Sequence, residues 1–248
     1  MFNRLRLPFY AKAMLALIIS TLYLNGPPMI AKTKIAIATG PSMPMMTERT
    51  VDGTQFLQDM ADAAAAMKSY SFEYDTTVYK GNKTILQRGQ FYFKQPRLLR
   101  NEMTGPFKHG SVAVLGKEGK VRGHMGGLLS GVTVSLDPYS DQLLGANGYP
   151  FADSDFASIA RVMKGFLKQG CVSRVSEHPV TVEGQPKKVY VFEFYRGPGN
   201  SELYKRTYID PQTLLPVEWF DYKGGAMFAR TIWKNVKLGP VADDLFQL

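Results

Sequence analysis

A chain of 248 residues, 45% hydrophobic and 21% charged, has the apolar content of a folded protein rather than of a disordered one. Its single cysteine, Cys171, excludes an internal disulfide framework and a cysteine-rich zinc site. The formal charge of +9 is scattered without a run of five or six like residues and without a nucleic-acid motif, which excludes nucleic acid as a partner; it reads first as a plain solvated surface, and second as attraction to anionic lipid headgroups or cell-wall polymers.

In chain order, Arg4, Arg6 and Lys12 precede an apolar run from Ala13 to Leu24, and Asn25-Gly26-Pro27-Pro28 breaks it. This order predicts a signal peptide over 1–38, cleaved after Ala31 or Ala38, with an uncleaved N-terminal anchor as the other reading. The run is shorter than the roughly 20 residues of a spanning helix, so membrane contact is at most peripheral, and the protein is expected to be periplasmic or secreted. With no Cys near either cleavage position, lipid attachment through an N-terminal cysteine is excluded. Residues 39–53 lack periodicity and read as a flexible leader, which leaves 54–248 as one domain.

Thr54 to Lys68 reads as a helix capped by Thr54, with Phe56, Met60, Ala63, Ala64 and Met67 as its apolar stripe. From Tyr70 to Val78 aromatic and β-branched residues alternate with polar ones, the period of a strand. Lys80 to Lys83 makes a turn, and Ile85 to Lys94 returns with Ile85, Gly89, Phe91 and Phe93 on one face. Pro96 stops that strand. Further strands are expected at 98–104, 111–115, 120–124 and 132–136, with a hairpin turn at Gly116 to Gly119.

A second helix runs from Asp155 to Gln169, capped by Asp153 or Ser154 and closed by Gly170, with Phe156, Ile159, Ala160, Met163, Phe166 and Leu167 as its stripe. Strands follow at 172–178, 187–195, 201–209, 216–222 and 226–236. The fold class is thus mostly β with two helices (α+β): an antiparallel curved sheet, or incomplete β-barrel, with a helical lid.

Catalytic and metal-binding patterns are missing from the sequence. His109, His124 and His178 have no metal-ligand spacing, and Gly127 to Gly131 is one residue out of register for a nucleophile elbow. Asp153-Ser154-Asp155 is explained by the start of a helix. Neither an enzyme nor a cofactor is expected, and a hydrolase of unknown type is the third reading, after a hydrophobic-ligand binder and a protein-binding or sensor module. What stands out is aromatic and apolar excess on strands, and Phe91, Phe93, Leu99, Trp219, Phe228 and Trp233 are the residues expected to line a hydrophobic cavity; a packed core is the competing role for each.

The segment Gly89-Gln90-Phe91-Tyr92-Phe93-Lys94-Gln95-Pro96-Arg97-Leu98-Leu99-Arg100 resembles the LolA-like periplasmic lipoprotein-carrier superfamily, which includes LolB and RseB. A glycine, an aromatic-rich strand, Lys-x-Pro and a second apolar strand follow in the family's order. So do the hairpin at Glu118-Gly119-Lys120 and Leu215 to Tyr222 before Gly224 and Asn235-Val236. The resemblance spans residues 54–246. It implies a half-barrel with a helical lid that holds lipid or lipoprotein acyl chains, or an envelope protein partner. The family's carriers place Arg before the proline as a latch for the lid; this chain has Gln95.

Overall fold

The computed structural model describes residues 48–248. The expected signal segment and most of the leader lie outside the described residues. Within them, twelve strands form one antiparallel sheet. The first half of the chain supplies β1 (Thr50–Asp52), β2 (Ser69–Lys80), β3 (Lys83–Lys94), β4 (Leu98–Met103), β5 (Val112–Leu115), β6 (Val121–His124) and β7 (Val134–Leu136). The second half supplies β8 (Val172–Ser176), β9 (Tyr190–Arg196), β10 (Glu202–Ile209), β11 (Pro216–Lys223) and β12 (Ala226–Leu238).

The order is β1-β8-β9-β10-β11-β12-β2-β3-β4-β5-β6-β7. Two meanders, β2 to β7 and β8 to β12, are joined where β12 pairs with β2, and the sheet stays open between its edge strands β1 and β7. Thr50–Asp52 corrects the sequence reading at one point: this part of the leader belongs to the fold, pairing with Ser176 to Arg174 of β8.

Helix α1 (Thr54–Ala66) is alanine-rich, and Gln55 and Gln58 donate to Asp59 and Asp62 one turn on, at 2.9 and 2.8 Å. Thr54 is its first residue rather than its cap: its N–H and hydroxyl both donate to Asp52 Oδ1, which holds the Asp52 carboxyl below its ordinary range. Leu57, Met60 and Ala64 face the core. Helix α2 (Phe156–Lys168) is capped by Asp155 rather than by Asp153 or Ser154, which belong to the 3-10 turn before it; Asp155 accepts from Ser158 N at 2.9 Å. It ends at Gly170, whose φ of +87° is the left-handed value a glycine adopts without strain.

Both helices bury their stripes on one face of the sheet. There α1 and α2 meet Phe192, Phe194, Ile209 and Trp219 in one cluster, while in another Phe156 lies against Tyr70 and Phe72, on which Phe93 and Phe91 stack in turn. Each fully buried Phe contributes about 1.5–3 kcal/mol. The outer face is covered as well. The bridge Val180↔Val189 lays residues 177–189 over Val191, Tyr208, Phe220 and Tyr222. Val241 and Phe246 close over Leu98 and Val114, and Arg100 Nη1 donates to Leu245 O at 2.8 Å. Much of the apolar excess read from the strands is therefore consumed in packing both faces.

A cavity with an apolar and a polar end

On the helix side of the sheet a cavity of about 110 Å³ lies between β2, β3, β4, β11 and β12, the connection 143–154, and α2. Its apolar wall comes from two sides. Phe72, Phe91, Trp219 and Trp233 rise from the sheet, and Leu143, Phe151, Ile159 and Val162 descend on them. Strand pairing explains why the sheet residues converge: Phe72 stands opposite Phe91, Tyr74 opposite Trp233, and Trp219 opposite Thr231.

Moving along the same strands, the inner face changes character. Phe72 gives way to Tyr74 and Thr76, Phe91 to Gly89 and Gln87, and Trp233 to Thr231. Gly89 is required by its neighbour, since a Cβ there would lie 2.7 Å from the Tyr74 ring and phenol oxygen. The phenol fills that space. It donates toward Asn101 Oδ1 (3.0 Å) and Met103 Sδ (3.3 Å) and accepts from Gln87 Nε2 (3.0 Å). Burial pushes the Tyr74 hydroxyl above its ordinary pKa, so it stays protonated in the physiological range. Gln87 Oε1 in turn accepts from Ala146 N at 2.7 Å, fastening the 143–149 connection to the sheet. Thr76 and Thr231 share one hydrogen bond of 2.9 Å across β2 and β12.

Beside the cavity, Trp219 Nε1 and the Tyr149 hydroxyl donate to Asp221 Oδ1 at 2.8 and 3.1 Å, and the Lys205 ammonium pairs with the same oxygen. Burial and the Asp221 charge push the Tyr149 hydroxyl far above its usual range. At the other side of α1, Gln95 N donates to Lys68 O (2.8 Å) and its side chain donates to Ala65 O (2.9 Å), so this residue ties the end of α1 to the β3–β4 turn.

Of the six residues expected in a cavity, Phe91, Trp219 and Trp233 line it. Phe93 and Leu99 share the inner face but lie beyond its closed end, at 5% and 0% exposure, packed with Tyr70 and Leu115. Phe228 falls in the bulge between the Asp221↔Ala229 and Tyr222↔Met227 pairs, and its ring lies 5.8 Å from the Lys205 ammonium rather than on the cavity wall. The polar end, formed by Tyr74, Thr76, Gln87, Asn101 and Thr231, was not expected from the sequence. Extending the period-two face of Phe91 back to Gln87, and of Phe72 on to Thr76, locates it.

No protein-family model and no curated protein matches the sequence. Solved structures do. The chain is 12% identical to an uncharacterized conserved protein from Thermus thermophilus, over 79% of this chain and 93% of that one, with a TM-score of 0.49. With a LolA superfamily protein from Nitrosomonas europaea the identity is 10%, the coverage 80% and 98%, and the TM-score 0.40. With MucB, solved in complex with MucA(peri), the values are 15%, 79% and 60%, and 0.43. What the cavity does follows from its own residues.

Proposed function

We propose that this is an exported, periplasmic or secreted protein that binds a hydrophobic ligand, the acyl chain of a lipid or of a lipid-modified protein, between its sheet and α2. The observation that carries the reading is the opposition of Phe72, Phe91, Trp219 and Trp233 on the sheet to Ile159 and Val162 on α2 across an open space. Each methylene transferred there from water is worth about 0.8 kcal/mol. A volume of about 110 Å³ takes one end of such a chain. A longer chain is accommodated by displacing the 143–149 connection, which is held to the sheet through Gln87. Binding of this kind calls for no catalytic group.

The chain has two tryptophans, and both line the cavity. Intrinsic fluorescence therefore reports directly on its contents. Titration with long-chain acyl ligands is expected to shift the emission, and mass spectrometry of protein purified from the producing cell is expected to find a co-purified lipid. Unchanged emission together with lipid-free protein would overturn the reading. N-terminal sequencing of the same material tests export, with mature protein starting after Ala31 or Ala38.

A second reading, an envelope protein-binding or sensor module, is favoured by the β6–β7 connection. There Leu128 is fully exposed and Met125, Leu129 and Val132 are exposed beside it. Under that reading Leu128→Ser weakens capture of an envelope protein and leaves the tryptophan response to acyl ligands unchanged.

A further inference from the structure

The polar end of the cavity carries hydrogen-bonding groups in the absence of a cation. Its lining includes Tyr74, Thr76, Gln87, Asn101 and Thr231, and no Lys, Arg or His is among the described lining residues. A donor inventory shows what remains for a ligand. Gln87 Oε1 accepts from Ala146 N and one Nε2–H donates to Tyr74, which leaves its second N–H for a ligand. Asn101 accepts from Tyr74 through Oδ1, whereas its Nδ2 has a weak contact of 4.0 Å with Met103 Sδ. The Thr76 and Thr231 hydroxyls share one bond, which leaves one O–H of the pair free to donate. The one carboxylate on the wall, Asp153, is already paired with Arg161 at 3.3 Å and Arg97 at 3.8 Å.

Resting on the hydrophobic-ligand reading, we propose that this cavity selects ligands whose polar group is uncharged, a hydroxyl, ester or amide, over ligands bearing a carboxylate or an ammonium. A ligand carbonyl or hydroxyl oxygen entering beside Asn101 gains neutral donors and forfeits little hydration. A carboxylate brought to the same place loses its water without meeting a positive group on the wall. An ammonium finds only neutral acceptors and a carboxylate that two arginines already hold. A buried charge without a partner is disfavoured far more strongly than a neutral hydrogen-bonding group.

The experiment compares four ligands of equal chain length at pH 8, each below its micelle concentration: a monoacylglycerol, a fatty amide, a fatty acid and an alkylamine. The readout is the emission of Trp219 and Trp233 in the full-length mature protein. The neutral pair is expected to bind at least about tenfold more tightly than the charged pair, and lowering the pH through the fatty acid's own titration is expected to bring its affinity up toward theirs. Asn101→Leu and, separately, Thr231→Val are expected to lower affinity for the neutral ligands and narrow the gap, with the far-ultraviolet circular dichroism confirming that each variant folds. Tighter binding of the amide than of the glyceride points to the amide-linked chain of a modified protein, and the reverse order to a free lipid. If the fatty acid or the amine binds as well as the neutral ligands, the selectivity is refuted and the hydrophobic-ligand reading stands. If none of the four shifts the emission, both fall.

Discussion

The Lys205 ammonium and the Asp221 carboxylate stand directly opposite each other on β10 and β11, at 5% and 0% side-chain exposure, on the face that receives the helices. The lysine is ringed by Tyr149, Phe166, Tyr204 and Phe228 at 4.3–5.8 Å. A charge buried so fully is tolerable because its counter-charge is in place. Asp221→Ala is expected to cost about 3–5 kcal/mol, and the double change Lys205→Met with Asp221→Leu to cost less than that. Urea denaturation followed by circular dichroism measures both. A single-variant loss below about 1 kcal/mol would show that Lys205 finds water or another partner.

Phe93 and Trp233 were expected in the same cavity and occupy different environments. Phe93, stacked on Tyr70 at 4.7 Å between centroids, is ordinary core, and Phe93→Ala is expected to cost about 3–5 kcal/mol. Trp233 is half-buried on the cavity wall, so Trp233→Ala enlarges a space that already exists and is expected to cost about 1–2 kcal/mol. Equal losses at the two positions would mean that the cavity is closed in solution.

Gln95 holds the last turn of α1 by its side chain. Gln95→Ala removes a bond worth about 1 kcal/mol or less. Amides in the final turn of α1 are then expected to exchange up to about fivefold faster, with α2 unaffected, as read by hydrogen exchange. Unchanged exchange would show that the backbone bond to Lys68 alone secures the turn.

Cys171 is buried, and burial pushes its thiol above the ordinary range against the partial opposition of Arg196 and Lys205. At pH 8 the native thiol is expected to alkylate at least about tenfold more slowly than the unfolded chain. Because the folded state holds the proton more tightly, its contribution to stability is present below the unfolded thiol value of about 8.5 and is lost as pH rises through the folded value. Cys171→Ala should remove that slope from a stability–pH profile taken above pH 8. A slope that persists in the variant belongs to the buried tyrosines instead.

The two helices and most strand positions were legible because their signals are local: the alternation from Tyr70 to Val78, the apolar stripe from Phe156 to Leu167, the glycine at 170. What escaped was set by pairing at a distance. Thr50 to Asp52 has no periodicity of its own and becomes a strand because β8 offers an edge. Alternation assigns Phe91, Phe93 and Leu99 to one face, but depth along that face depends on where 143–154 crosses it. Phe228 was misplaced because a bulge breaks the period at its position. The neutral polar cluster has no signature in any one strand, since Gln87 and Asn101 acquire their meaning only when pairing brings Tyr74 between them.

The edge strands bear on how the molecule meets other chains. β1 and β7 are each three residues long, so a sheet of twelve strands ends on both sides in a stub. Unpaired edges are templates for strand addition and for fibril growth, and shortening them is one way natural sheets resist both. With so few main-chain donors and acceptors on offer at either rim, ladder-type recruitment of a partner or of a second copy is poorly supported. Recognition is left to side chains, those around the cavity and those on the connections, where it can be exchanged for a new specificity without disturbing the ladder.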